Sequence, residues 1–99
     1  LDLLILSRLA RGAMHGFGIA EYLHGVSDAF HVEEGSLYPA LHRLESQGLI
    51  DSEWGLSENK RRARFYRLTP RGRRQIAIEV SHWRRMVQAV NQVIDPLVP

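Results

Sequence analysis

The sequence predicts a mainly α-helical protein carrying one small β-hairpin, an α+β fold. Three observations predict it. Before Gly48, apolar residues recur at helical spacing in three short stretches. Between Ile50 and Thr69 the period changes to two. From Ile76 onward, apolar residues are spaced 4, 3, 4, 3, 4 up to Ile94, the seam of a long helix.

Leu1 to Ala10 reads as the first helix, with apolar positions Leu3, Leu4, Ile5, Leu6 and Leu9 on more than one side. "RGAMHG" breaks it, with Gly12 as the expected C-cap. The second helix is expected from about Phe17 to Gly25, burying Ile19, Ala20 and Leu23. Ser27 to Glu34 connects it to the third. In "EEGSLYPALHRLESQG", Leu37, Ala40, Leu41 and Leu44 fall at i, i+3, i+4 and i+7, so that face is buried. Ser36 is expected to cap this helix, with Pro39 in its first turn and Gly48 at its end. Two short strands follow, Ile50, Ser52 and Trp54 alternating in one, Arg64, Tyr66 and Leu68 in the other, around the turn-rich tip "GLSENK". Trp54 is expected in the core. Thr69-Pro70 opens the last helix as N-cap and first residue, and Pro96 closes it.

With 99 residues the chain holds one small core. Its 44% hydrophobic and 24% charged residues belong to a folded soluble domain. No apolar run reaches the roughly 20 residues of a membrane helix, and "LDLLIL" lacks the features of a signal peptide. The absence of cysteine removes disulfides and thiolate metal sites and fits a cytoplasmic location. The chain opens at Leu1, inside an apolar run and without Met, so a few residues are expected upstream. The net charge of +2 hides a strong asymmetry. Residues 1–59 hold three arginines against nine acids. Residues 60–74 hold Lys60, Arg61, Arg62, Arg64, Arg67, Arg71, Arg73 and Arg74 and no acid. Such a block is either a solvated charge run or the footprint of an anion.

Three small helices followed by a hairpin is the winged helix-turn-helix arrangement, in which the third helix enters the DNA major groove. This order explains why Ser36, Tyr38, Pro39, His42 and Arg43 occupy the outer face of the third helix, where Lys, Glu and Gln would be ordinary. Hydroxyls and arginine can donate to phosphates, and His42 and Arg43 can also reach base edges. Lys60, Arg61, Arg62 and Arg64 form the wing, expected along the backbone of the adjacent minor groove. Residues 1–75 would be the DNA-binding unit and 76–99 a dimerisation helix within the same compact body. Its seam is Ile76, Val80, Trp83, Val87, Val90 and Ile94.

At "LDLLIL", "MHGFGIAEYL", "EEGSLYPALHRLESQGLI", "SEW" and "RRARFYRLTPRGRRQ" the sequence resembles the PadR family of bacterial transcriptional regulators, in order and spacing, over about residues 1–76. The resemblance implies a homodimeric repressor on double-stranded DNA, of the small subfamily with a single C-terminal helix. It also implies an interface that can open into an apolar pocket for small planar effectors. Trp83 is then either a ligand contact or a plain dimer anchor.

Other chemistries find less support. His15, His24, His31, His42 and His82 include no spacing of a metal site. "GFG" at Gly16 to Gly18 lacks the third glycine and preceding strand of a dinucleotide loop. No cofactor and no enzymatic activity are expected, because Ser, His and Asp lie scattered with no shared pocket. The rival reading is a winged-helix protein-interaction module whose basic face meets an acidic partner.

Overall fold

A computed structural model describes residues 1–99. In chain order it contains α1 (Asp2–Leu9), β1 (Met14–His15), α2 (Gly16–Val26), α3 (Glu34–Ser46), β2 (Ile50–Leu56), β3 (Arg62–Leu68) and α4 (Pro70–Ile94). A short 3-10 turn, Asp95–Leu97, follows α4. The α+β class and the helix order match the expectation, with a three-stranded antiparallel sheet of order β1-β3-β2.

The apolar stripes converge as their spacing requires. Ile5, Leu6 and Leu9 of α1, Ile19 and Leu23 of α2, and Leu37, Leu41 and Leu44 of α3 form the buried centre. Ile50 and Tyr66 close it from the sheet, with Leu49 from the turn before β2. No charged side chain is buried there. A buried leucine of this kind contributes about 1.5–3 kcal/mol relative to exposure, so the three-helix cluster dominates the stability of the unit.

Two details of α3 differ from expectation. Glu33, not Ser36, is the N-cap residue, and it makes no side-chain capping bond. Ser36 lies inside the first turn, and Pro39 lies deeper in the helix than its first turn. Pro39 therefore removes one ladder bond, the one to the Gly35 carbonyl, at a position where both residues are exposed. Water can serve that carbonyl, so the helix tolerates the proline.

The hairpin is longer than the sequence suggested, with seven residues per strand and full pairing from Ile50↔Leu68 to Leu56↔Arg62. A tight loop joins them, closed by Ser57 N–H to the Arg61 carbonyl at 2.8 Å. Lys60 takes the left-handed conformation there (φ 57°). Met14 and His15, expected only as a break, pair with Tyr66 and Phe65 and add the third strand. His15 then caps α2, its Nδ1 accepting from the Gly18 N–H at 2.9 Å.

The helix α4 begins as anticipated. Thr69 Oγ1 accepts from the Gly72 N–H at 3.0 Å, and Pro70 is the first helical residue. The same hydroxyl donates to the Gly48 carbonyl at 2.7 Å, and the Thr69 N–H bonds the Leu49 carbonyl at 3.1 Å. Gly72 is buried at this junction, and a Cβ there would stand 1.9 Å from the Leu49 carbonyl oxygen. Beyond Ile76 the helix leaves the core and gives the molecule its long axis of 53 Å. Trp83 and Met86 are each 60% exposed, and Val87, Val90 and Ile94 are exposed with them. No helix is long and apolar enough to cross a membrane.

Because the Cβ at position 72 would meet backbone, Gly72→Ala cannot be relieved by a rotamer change. It should destabilise the fold by about 3 kcal/mol, read as a lower urea midpoint. A midpoint within error of the parent would show that the junction relaxes freely.

Candidate nucleic-acid interface

The buried side of α3 fixes what the helix presents outward. With Leu37, Ala40, Leu41 and Leu44 buried, the opposite face is Gly35, Pro39, His42 and Ser46. Tyr38 and Glu45 flank it on the side of the hairpin, and Ser36 and Arg43 on the side of α1. Ser36, Tyr38, Pro39, His42 and Arg43 are all exposed, as anticipated. Gly35, which the sequence reading did not include, belongs to the same face, and Ser46, expected at its flank, is central to it. The fourfold spacing of Gly35 and Pro39, and of His42 and Ser46, carried that signal.

Arg43 is not free. Its guanidinium pairs with Asp2 in the first turn of α1, and both side chains are partly exposed. This draws Arg43 toward α1 and leaves His42 as the central basic group of the outward face.

The ring of Tyr38 lies over Gly16 at the start of α2, where a Cβ would stand 2.9 Å from both the ring edge and the hydroxyl. Packing and surface presentation thus coexist in one side chain, which remains 44% exposed. The hydroxyl opens into a cleft of about 960 Å³ between the start of α2 and the hairpin. Arg8, Phe17, Tyr38, Trp54, Arg61 and Arg62 are among its walls.

The wing's basic residues are not equivalent. Arg64 Nε donates to Ser52 Oγ at 2.7 Å, and its guanidinium lies 3.7 Å from Glu45. Arg67 binds Asp51 at 2.6 Å and lies 3.9 Å from Glu53. That bond to Asp51 holds the Arg67 pKa above its ordinary value. Lys60, Arg61, Arg62, Arg71, Arg73 and Arg74 have no acidic partner. Trp54 is 56% exposed rather than in the core. It shares a strand face with Ile50 and Ser52 but lines the open cleft opposite α2 instead of the closed core. Arg62 stacks on its indole at 4.5 Å, and Arg64 approaches at 5.7 Å.

His24 and His31 approach edge to face at 6.5 Å, and no group of three metal-ligating side chains forms.

At the floor of the cleft, burial raises the Tyr66 phenol above its ordinary pKa of about 10, with nearby Arg64 pulling the other way. The folded state therefore keeps a proton that the unfolded chain loses. The contribution of Tyr66 to stability should be constant below about pH 10 and fall as the pH rises above it. Tyr66→Phe should remove that alkaline fall, as judged by urea midpoints between pH 8 and 11. A fall of equal size in Tyr66→Phe would assign it elsewhere.

Comparison with known proteins adds an independent line. The model of the transcriptional regulator PadR-like family matches residues 5–78. Transcriptional regulator Rv3488 of Mycobacterium tuberculosis is 42% identical over 71 residues, which cover 70% of this chain and 62% of that protein. The chain thus spans less than two thirds of that relative's length. A transcriptional regulator from Clostridium thermocellum superposes with a TM-score of 0.80 at 32% identity, over 100% of this chain and 93% of that one. A PadR family transcription regulator from Clostridium difficile gives 0.80 at 33% identity, covering 94% and 96%.

Proposed function

The chain belongs to the PadR-like family of transcriptional regulators, and from that premise we propose that it is a cytoplasmic repressor that binds a palindromic DNA operator as a homodimer. The observation that carries this reading is the wing. Arg61 and Arg62 have no acidic partner and line the same cleft as Tyr38, beside the outward face of α3. Unpaired guanidiniums held together beside a bare helix face suit a polyanion.

In this reading α3 lies in the major groove. Gly35 and Pro39 allow close approach, and His42, with Ser46, reads base edges. Tyr38 and the Ser36 hydroxyl bond phosphates, which fix register without reading sequence. Arg43 contributes at the α1 side, within the limits of its pair with Asp2. Lys60, Arg61 and Arg62 follow the backbone of the neighbouring minor groove. Arg64 supports the wing, its own charge largely occupied by Glu45.

The exposed stripe of α4 supports the homodimer. Beyond the half-buried Val80, the exposed Trp83, Val87, Val90 and Ile94 continue the seam that Ile76 starts against the core. A second copy would bury it and set two recognition helices at a fixed separation, as a palindrome requires. A small planar apolar effector is proposed at that interface, with Trp83 as its contact.

Neutralising the wing tests the DNA-binding role. Arg61→Ala with Arg62→Ala should weaken binding to all duplexes alike. In each subunit the salt slope should fall by about 0.9 for every phosphate left without its arginine. Unchanged affinity and slope would remove the wing from the mechanism. Equal retention of the parent on an acidic polymer lacking bases and sugars would favour the protein-interaction reading instead.

Val87→Asp tests the dimer. It places an unpaired charge in the seam twice per dimer, a loss of several kcal/mol. The variant should sediment as a monomer and keep only non-specific DNA affinity. A parent protein that sediments as a monomer at micromolar concentration would overturn the homodimer.

A further inference from the structure

Glu45 is out of place on a helix that faces a polyanion, and Trp54 is out of place on an exposed strand. The structure joins them. The Glu45 carboxylate accepts from Ser52 Oγ at 2.6 Å, and Ser52 Oγ accepts from Arg64 Nε at 2.7 Å. Arg64 lies opposite Trp54 in the strand register, its guanidinium 5.7 Å from the indole. Arg62 covers the same ring at 4.5 Å. A continuous series of interactions therefore runs from α3, through the root of the wing, to an arginine near its tip.

Each link has a physical reason. The hydroxyl of Ser52 both accepts and donates, so it passes the order of a carboxylate on one element to a guanidinium on another. The indole turns about only two torsions and offers the best π-face for a cation. A free arginine samples many rotamers and loses that freedom when it meets a phosphate. An arginine already lying on an indole has lost part of it beforehand. Arg62 carries no acidic partner, so the stack holds its position while its charge remains available.

We propose that Glu45 and Trp54 are positioning residues of the DNA-binding surface, Glu45 fixing the wing's root against α3 through Ser52 and Arg64, and Trp54 holding Arg62 over the cleft for a phosphate. This rests on the DNA-binding reading. Trp54 acts through Arg62 and not by touching the duplex itself. Glu45 repels the duplex locally but sets the distance between the groove read by α3 and the groove followed by the wing.

The test uses the full chain and random-sequence duplex DNA, with anisotropy titrations across a range of NaCl. The proteins compared are the parent, Arg62→Ala, Trp54→Leu, Trp54→Tyr and the double variant Trp54→Leu/Arg62→Ala. Leucine keeps apolar bulk without a π-face, so folding is spared. Trp54→Leu should bind roughly four- to twenty-fivefold more weakly per dimer, each wing losing the two- to fivefold that an exposed cation–π interaction provides. Its salt slope should fall toward that of Arg62→Ala. The tyrosine variant should recover most of the affinity. The double variant should match Arg62→Ala, because Trp54 has nothing left to position. Glu45→Ala, measured alone and with Arg62→Ala, removes a local repulsion yet should weaken binding in both backgrounds, because the wing's root positions Lys60 and Arg61 as well as Arg62; parental or tighter binding by Glu45→Ala would overturn its positioning role. Additive losses in the Trp54→Leu/Arg62→Ala variant, or parental affinity in Trp54→Leu, would overturn the proposal. A parent protein with no duplex affinity would instead sink the DNA-binding reading. A parent that binds, with a weakened Arg62→Ala and an unaffected Trp54→Leu, would sink this inference alone.

Discussion

The end of α3, the root of the wing and the start of α4 meet at one crossing point, where Thr69 bonds the carbonyls of Gly48 and Leu49 and caps its own helix through Gly72. The absent side chain of Gly72 lets the helix start against the Leu49 carbonyl. Gly48 turns the chain there with a left-handed φ of 75°. Any rotation at this junction would swing the wing and α4 together relative to α3. The geometry that a duplex would meet and the geometry that a second subunit would meet thus share one hinge, and the hinge is rigid because its backbone groups are paired and its space is filled.

The parts of the fold that are legible in the sequence are those with long periodic signals or local chemistry. The stripe Leu37, Ala40, Leu41, Leu44 and the pair Thr69-Pro70 describe their structures almost completely, because the interactions are within a turn or two of chain. Strand β1 is illegible. Two residues have no period, and Met14 and His15 become a strand only because β3 offers a free edge. The cap of α2 is similar, since histidine is a capping residue only when a particular rotamer is imposed.

Departures from expectation at the candidate site share a cause: they concern partners far along the chain. Arg43 looks free until α3 is laid on α1, 41 residues away in sequence, and Asp2 comes within reach. The eight positive residues from Lys60 to Arg74 look uniform until pairing with β2 gives Arg67 to Asp51 and Arg64 to Ser52 and Glu45. For Trp54, alternation gives the face of the hairpin but not the depth. Only the gap left between the hairpin and α2 tells whether anything covers that face.

The sheet order β1-β3-β2 leaves β2 with one long side of its backbone unpaired. Seven residues of open strand would ordinarily invite another strand, and with it fibrous or runaway assembly. Here Asp51 and Glu53 lie along that edge. Two such edges brought together would set carboxylates beside carboxylates, a disfavoured arrangement. The acids that hold Arg67 across the hairpin thus also act as sentries. They bar unlimited strand-by-strand growth along this edge.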